Sequence, residues 1–84
     1  MKSDKAFKNL LADIGIRLAE LRMKKGYATI KAFAGRYDLP EIQYWRMEKG
    51  KANITLKSLS RVLQIHRMTL NEFFCLIQEQ KVAA

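Results

Sequence analysis

Residues 33–50 read FAGRYDLPEIQYWRMEKG and carry the most structural information in the chain. Apolar residues recur at helical spacing up to Tyr37, and the spacing resumes after a break at Asp38 and Leu39. Aspartate is one of the few residues that tolerate the left-handed backbone of a sharp turn. The stretch therefore predicts two short helices joined by a tight corner, which is a helix-turn-helix.

The second helix of this corner has two different sides. Tyr44, Met47 and Glu48 lie at helical spacing on one side, which is predicted to face the core. Ala34 in the first helix allows the two helices to cross closely, because a long side chain there would push them apart. The side predicted to stay free carries Glu41, Ile42, Trp45 and Arg46.

The chain before the corner also predicts helices. Helix one is expected to run from Ser3 or Asp4 to Lys25, and Gly26 then ends it. Thr29 is the expected cap of the second helix, because its side chain can accept a hydrogen bond from a backbone amide in the first turn.

The third helix, which is the second helix of the corner, should run from about Pro40 to Lys49. Two further helices are predicted after it. Thr55 is the expected cap of a fourth helix, and Thr69 opens a capping-box sequence that begins a fifth. The apolar residues expected on the fourth helix are Leu56, Leu59, Val62 and Leu63.

The composition agrees with an all-α fold. The chain has 84 residues, of which 49% are hydrophobic, with one proline and four glycines. This length allows one modest core, and the alternating pattern of strands is scarce. We therefore expect a single all-α domain over residues 1–84.

The charge of the chain is strongly positive and concentrated. The formal net charge is +8, and between Arg22 and Lys57 nine basic residues stand against three acidic ones, a net of +6. Such a surface attracts polyanions through counterion release, and it would also attract a membrane surface or an acidic protein. The charge and the helix-turn-helix together favour nucleic acid.

The one cysteine, Cys75, has no second cysteine with which to form an internal disulfide. It lies among apolar residues, so we expect it to be buried in a protein of the reducing cytoplasm. The charged start of the sequence argues against a signal peptide, and no apolar run reaches the roughly 20 residues that span a bilayer. A cytoplasmic protein without a membrane partner is predicted.

The order and spacing of these motifs resemble the Cro/C1-type (XRE family) helix-turn-helix DNA-binding domains. The resemblance covers residues 14–74, with 1–13 as an extension of helix one and 75–84 as the end of the last helix and a tail. Asp38 departs from the usual turn glycine, and the segment 26–33 is one residue longer than the common pattern. The matching segments are residues 14–26, 33–34, 46–50, 56–59 and 69–74.

The resemblance implies a compact five-helix, lambda-repressor-like fold whose third helix enters the major groove of DNA. The exposed residues there have suitable chemistry, since Arg46 can pair with guanine, Gln43 with adenine, Glu41 with cytosine N4 and Ile42 with a thymine methyl. Glu41 also meets phosphate repulsion, so it either excludes wrong sequences or pairs with a neighbouring arginine. An ordinary solvated surface is the alternative for Arg46, Glu41 and Gln43.

Phosphate contacts are expected from helix ends and basic loops that flank the third helix. Trp45 is expected either to point toward the DNA backbone or to cover a seam between helices, and we favour partial burial. The resemblance also implies an inward ion pair between Arg22 and Glu48 that orients the third helix. The candidate phosphate-contacting residues are Thr29, Lys31, Lys49, Lys51, Asn53 and Lys57.

The apolar residues of the last helix cover more of its surface than packing within one chain requires. We predict that part of it pairs two subunits, because a dimer reads two half-sites while one module reads only a few base pairs. The alternative is that these residues simply close the core. Phe7 and Leu11 are a second candidate interface. The candidate dimer residues on the last helix are Leu70, Phe73, Phe74 and Ile77, within a run that also includes Leu76.

An enzyme is not expected. His66 is the only histidine, so no zinc site or nucleophile-base pair can be assembled from the usual ligands, and no cofactor is predicted. The resemblance implies a repressor-like transcriptional regulator that reads an inverted repeat in double-stranded DNA. The rival hypothesis is an antitoxin whose C-terminal surface binds a toxin-like protein, and neighbouring genes would distinguish it from a stand-alone repressor or a restriction-modification controller.

Overall fold

The computed structural model describes the backbone of residues 2–83 and the side chains of residues 4–79. Within this range the chain forms five helices and no strand, which confirms the all-α prediction. The helices are α1 (Lys2–Lys24), α2 (Ile30–Arg36), α3 (Glu41–Glu48), α4 (Leu56–Ile65) and α5 (Leu70–Ala83).

The chain divides between Asn53 and Ile54 into two compact units. The first unit contains α1, α2 and α3, and the second contains α4 and α5. The expectation that residues 1–84 form one domain stays a prediction.

The corner between α2 and α3 has the geometry expected from the sequence. Asp38 adopts a positive φ of 55°, and the amide of Leu39 donates to the carbonyl of Ala34 at 2.9 Å. The side chain of Leu39 is buried. A left-handed residue followed by a buried apolar one ends α2 and starts α3 within a few residues.

The interior of the first unit is rich in aromatic rings. The ring of Phe33 lies 5.6 Å from that of Tyr27, 5.1 Å from that of Tyr37 and 5.2 Å from that of Tyr44, measured between centroids. Ala34 is 1% exposed, as expected for a position where two helices cross. The aromatic rings and this small residue hold α2 against α3.

Gly15 determines how closely α1 approaches α3. A Cβ atom placed on Gly15 would lie 2.8 Å from the carbonyl oxygen of Met47 and closer still to that of Glu48. Any side chain at this position would therefore force the two helices apart. This role of Gly15 was not predicted, although a glycine inside a helical pattern is itself a signal of close packing.

The caps of the second unit follow the sequence. The Thr55 hydroxyl oxygen accepts a hydrogen bond from the amide of Ser58 at 3.0 Å. Thr69 and Glu72 form the predicted capping box, with the Glu72 carboxylate accepting from the Thr69 amide at 2.8 Å and the Thr69 hydroxyl accepting from the Glu72 amide at 3.1 Å. These bonds fix where α4 and α5 begin.

Leu56 lies on α4, as the sequence predicts, and it is 67% exposed because it is the first residue of the helix and its side chain tilts toward the N-terminus, past the packed turns. The expectation that Cys75 is buried is wrong. Cys75 is exposed because it follows the buried Phe73 by two residues, about 200° around the helix.

Candidate nucleic-acid interface

The two sides of α3 differ as the sequence predicts. Tyr44, Met47 and Glu48 are 1%, 3% and 7% exposed, so they lie on the buried side. The other side of α3 contacts solvent, and Ile42 at its start is 73% exposed. The four candidate base-contacting residues, Glu41, Ile42, Gln43 and Arg46, are all exposed.

The buried side of α3 contains an ion pair. The Nε atom of Arg22 donates to one carboxylate oxygen of Glu48 at 2.8 Å, and its Nη2 atom donates to the other at 3.1 Å. The Nη1 atom donates to the backbone carbonyl of Tyr27 at 2.8 Å. These contacts join α1, the end of α3 and the segment before α2.

This ion pair is held by charge and by shape. Glu48 accepts the guanidinium hydrogen bonds and so raises the pKa of Arg22 above its ordinary value, against the opposing effect of burial. Both oxygens of the carboxylate are used, which restricts the rotation of α3 about its axis. The structure thus brings together the two residues that the resemblance paired.

Tyr44 lies next to this pair with its hydroxyl fully buried. Burial raises the pKa of this hydroxyl, and the neighbouring Glu48 raises it further. Among the described residues, the Tyr44 hydroxyl has no hydrogen-bond partner of good geometry. The residue is therefore a neutral part of the core at any ordinary pH.

The N-terminus of α2 carries two of the candidate phosphate-contacting residues. The Thr29 hydroxyl oxygen accepts a hydrogen bond from the amide of Ala32 at 3.1 Å, as expected for a helix cap. Lys31 follows in the first turn of α2 and is exposed. Thr29 itself is exposed, so its cap role leaves its surface open to a ligand.

The C-terminus of α3 is closed by a glycine motif. Gly50 has a φ of 69°, and its amide donates to the carbonyl of Met47 at 3.3 Å. The amide of Lys51 donates to the carbonyl of Arg46 at 2.9 Å. This pair of bonds is a Schellman motif, which requires the left-handed backbone that glycine adopts without strain.

Three of the candidate phosphate-contacting residues lie at this end of α3, and all are exposed. Lys49 is the C-cap residue, while Lys51 and Asn53 follow the turn. Trp45 is 39% exposed, in line with the partial burial that we favoured. The ammonium group of Lys51 lies 5.5 Å from the centroid of the Trp45 ring.

The sixth candidate, Lys57, belongs to the second unit. It is exposed in the first turn of α4. The structure therefore groups five of the six candidate phosphate-contacting residues with α2 and α3 in the first unit.

The candidate dimer residues are only partly accessible. Phe73 and Ile77 are 0% and 7% exposed, so the prediction that they lie at a dimer interface is wrong for these two. They are four residues apart on one face of α5, and that face is buried within the chain. Leu70 and Phe74 are half-buried.

The second candidate interface is divided in the same way. Leu11 is 6% exposed and belongs to the core, because it lies on the same apolar face of α1 as Ile14 and Leu18. The expectation that Leu11 lies at an interface is therefore corrected. Phe7 is 48% exposed, one turn before Leu11 on α1. Within the described residues, no helix is both long enough and apolar enough to cross a membrane.

A short helix with a buried ion pair on one side and exposed polar side chains on the other, entered through a tight corner, defines a helix-turn-helix protein. The chain is 32% identical over 66 residues to control protein C.MunI of Mycoplasma sp, a match that covers 79% of this chain and 89% of that protein. The chain belongs to the family of control proteins. No protein-family model and no solved structure matches the chain.

Proposed function

We propose that this chain is a Cro/C1-type transcriptional regulator of the cytoplasm, repressor-like in action, that binds a short inverted repeat in double-stranded DNA. The observation that carries the proposal is the arrangement of α3, whose exposed side offers Glu41, Ile42, Gln43 and Arg46 while its other side is anchored in the core. The likeness to a control protein favours a controller of restriction-modification genes over a stand-alone repressor.

The exposed side of α3 can read bases in the major groove. The guanidinium of Arg46 can donate two parallel hydrogen bonds to N7 and O6 of guanine, and the Gln43 amide can pair with adenine. Ile42 supplies an apolar contact for a thymine methyl, and Glu41 can accept from cytosine N4. A helix of eight residues is long enough to place such side chains over a few base pairs.

The basic residues around α3 would bind the DNA backbone. Lys31 lies in the first turn of α2, and Lys49 and Lys51 lie at the end of α3, so both helices of the corner carry exposed cations. The backbone contacts would set the register of α3 on the duplex, since phosphates carry no base information of their own. Asn53 and the Thr29 hydroxyl would add neutral hydrogen bonds to the same backbone.

A homodimer completes the proposal. One α3 contacts too few base pairs for a useful specificity, and a two-fold symmetric pair of subunits reads two half-sites about one helical turn apart. On α5, the half-buried Leu70 and Phe74 are the candidates that keep surface for a second subunit.

The first experiment is selection of bound duplexes from a randomised DNA library, followed by sequencing, with Arg46→Ala compared at the same salt concentration. We expect the wild-type protein to select an inverted repeat and the variant to lose the guanine preference at one position of each half-site, at a cost of about 1 to 3 kcal/mol.

Arg46→Lys is the matched control because it keeps the positive charge and removes the two parallel N–H donors of the guanidinium. If Arg46 reads a base, the lysine variant should lose the same preference as the alanine variant. Equal binding to all sequences, suppressed by salt in the same way, would contradict base reading and favour a protein partner instead.

A further inference from the structure

Trp45 does not belong to the buried side of α3. It follows Tyr44 directly, so its ring lies about 100° around the helix from that buried side chain, and it keeps 39% of its surface exposed. Part of a large apolar ring therefore stays on the surface next to the candidate base-contacting residues. The ammonium group of Lys51 contacts this ring.

The backbone of Lys51 is fixed by the motif that ends α3. Its amide is bonded to the carbonyl of Arg46, and the preceding Gly50 is held against α1, where a Cβ atom would lie only 3.0 Å from the Cα of Ala12. The backbone of Lys51 therefore has a defined position one turn from Arg46, although Lys51 lies in the loop after the helix.

The side chain of Lys51 then returns toward the helix. Its ammonium nitrogen is 5.5 Å from the centroid of the Trp45 ring, which is within the range of a cation–π interaction. A lysine side chain free in water samples many rotamers and loses this freedom when it binds a phosphate. If the ring already restricts the ammonium group in the free protein, less conformational entropy is lost when Lys51 binds DNA.

We propose that Trp45 is a positioning residue that holds the Lys51 ammonium group ready for a DNA phosphate next to the bases read by Arg46. This inference rests on the proposed function and deepens it. Lys51 is exposed, so its ammonium group can contact the ring and a phosphate at the same time. Trp45 and Lys51 should then act as one unit in binding.

The first test uses the protein without DNA. Protons attached to the carbon next to the Lys51 ammonium group should show an upfield NMR shift from the Trp45 ring current in the wild-type protein. Trp45→Leu should remove this shift, and Trp45→Phe should keep part of it. Because Trp45 is the only tryptophan, Lys51→Ala should also change the fluorescence of the free protein. A Lys51 side chain with unshifted protons in the wild-type protein would overturn the inference.

The second test is a double-mutant cycle on a duplex taken from the selection. In the wild-type background, Lys51→Ala should weaken binding and reduce the slope of log K against log salt concentration by about 0.9. In the Trp45→Leu background the same change should weaken binding less, with a coupling between the two residues of about two- to fivefold in Kd. Trp45→Phe should restore most of the coupling.

Lys49 is the matched control, because it is an exposed lysine at the same helix end. The effects of Lys49→Ala and Trp45→Leu should simply multiply. Circular dichroism should show the same helix content for every variant, and the phenylalanine variant retains a ring if the leucine variant unfolds.

The outcomes separate this inference from the proposed function. If the wild-type protein reads an inverted repeat but the effects of Lys51 and Trp45 multiply independently, only the positioning role is wrong. If the wild-type protein binds no duplex, the proposed function is wrong and the phosphate role of Lys51 is wrong with it, whatever the NMR shift shows.

Discussion

The buried and exposed sides of α3 are built from adjacent residues that are held in very different ways. Tyr44 is 1% exposed and Ile42, two residues earlier, is 73% exposed. The buried side forms an ion pair with Arg22, packs against the ring of Phe33 and approaches the backbone at Gly15. The exposed side carries groups that can contact a ligand. The buried side sets where the helix lies, so the exposed side can change without cost to folding.

The largest effect is expected from breaking the close approach beneath α3. Gly15→Ala should lower the free energy of unfolding by about 3 kcal/mol, because the new Cβ would overlap the backbone at Met47 and Glu48. Urea unfolding followed by circular dichroism measures this value.

Gly35→Ala is the control for this change. Gly35 lies within α2, and nothing lies within 4 Å of a Cβ atom placed there. The same substitution should therefore stabilise by up to about 1 kcal/mol, as in an ordinary helix. If Gly15→Ala also stabilises, α1 and α3 are not as close as the structure places them.

An intermediate effect is expected from removing the charged contact. Glu48→Ala should cost about 2 kcal/mol of stability, because the buried Arg22 guanidinium would keep its charge and lose both hydrogen bonds to the carboxylate. DNA binding should weaken as well, since α3 would lose the contact that fixes its rotation. Thermal unfolding and binding titrations on the selected duplex measure the two effects.

A surface ion pair provides the comparison for Glu48. Glu20 lies 2.7 Å from Arg17 on α1, and its side chain is 46% exposed. Glu20→Ala should change stability by less than about 0.5 kcal/mol and leave DNA binding unchanged. A folded Glu48→Ala protein that binds DNA as well as the wild type would show that the pair does not orient α3.

The smallest effect on stability is expected on the exposed side. Ile42→Ala should change the free energy of unfolding by less than about 0.5 kcal/mol, since the side chain is already in water. It should nevertheless relax the base preference at one position of each half-site. Met47→Ala, on the buried side, should cost about 2 kcal/mol or more. Similar losses of stability for both would contradict the difference between the two sides.

Local signals predicted the helices well. Thr29, Thr55 and Thr69 cap helices where the sequence places them, because a cap depends on residues only three positions apart. The left-handed geometry of Asp38 is local in the same sense. The two sides of α3 follow from the helical period, which the sequence displays directly.

The wrong predictions concern residues whose burial does not follow from the helical period of the apolar residues. Cys75 has apolar neighbours in sequence but is exposed, and Phe73 and Ile77 are buried although they were candidates for an interface. A run of apolar residues on α5 indicates that some of them are covered. Which ones are covered depends on how the helix is rotated against other parts of the chain, and this rotation is a tertiary property.

By itself, the sequence determined the five helices, the corner at Asp38 and the side of α3 that stays exposed, because caps, turns and helical periods depend on residues close together in the chain. The tertiary structure alone decided the close approach at Gly15 and the placement of the Lys51 ammonium group over Trp45. The approach at Gly15 joins segments far apart in sequence, and the contact between Lys51 and Trp45 depends on the path of the backbone after Gly50. Neither can be derived from the pattern of one helix.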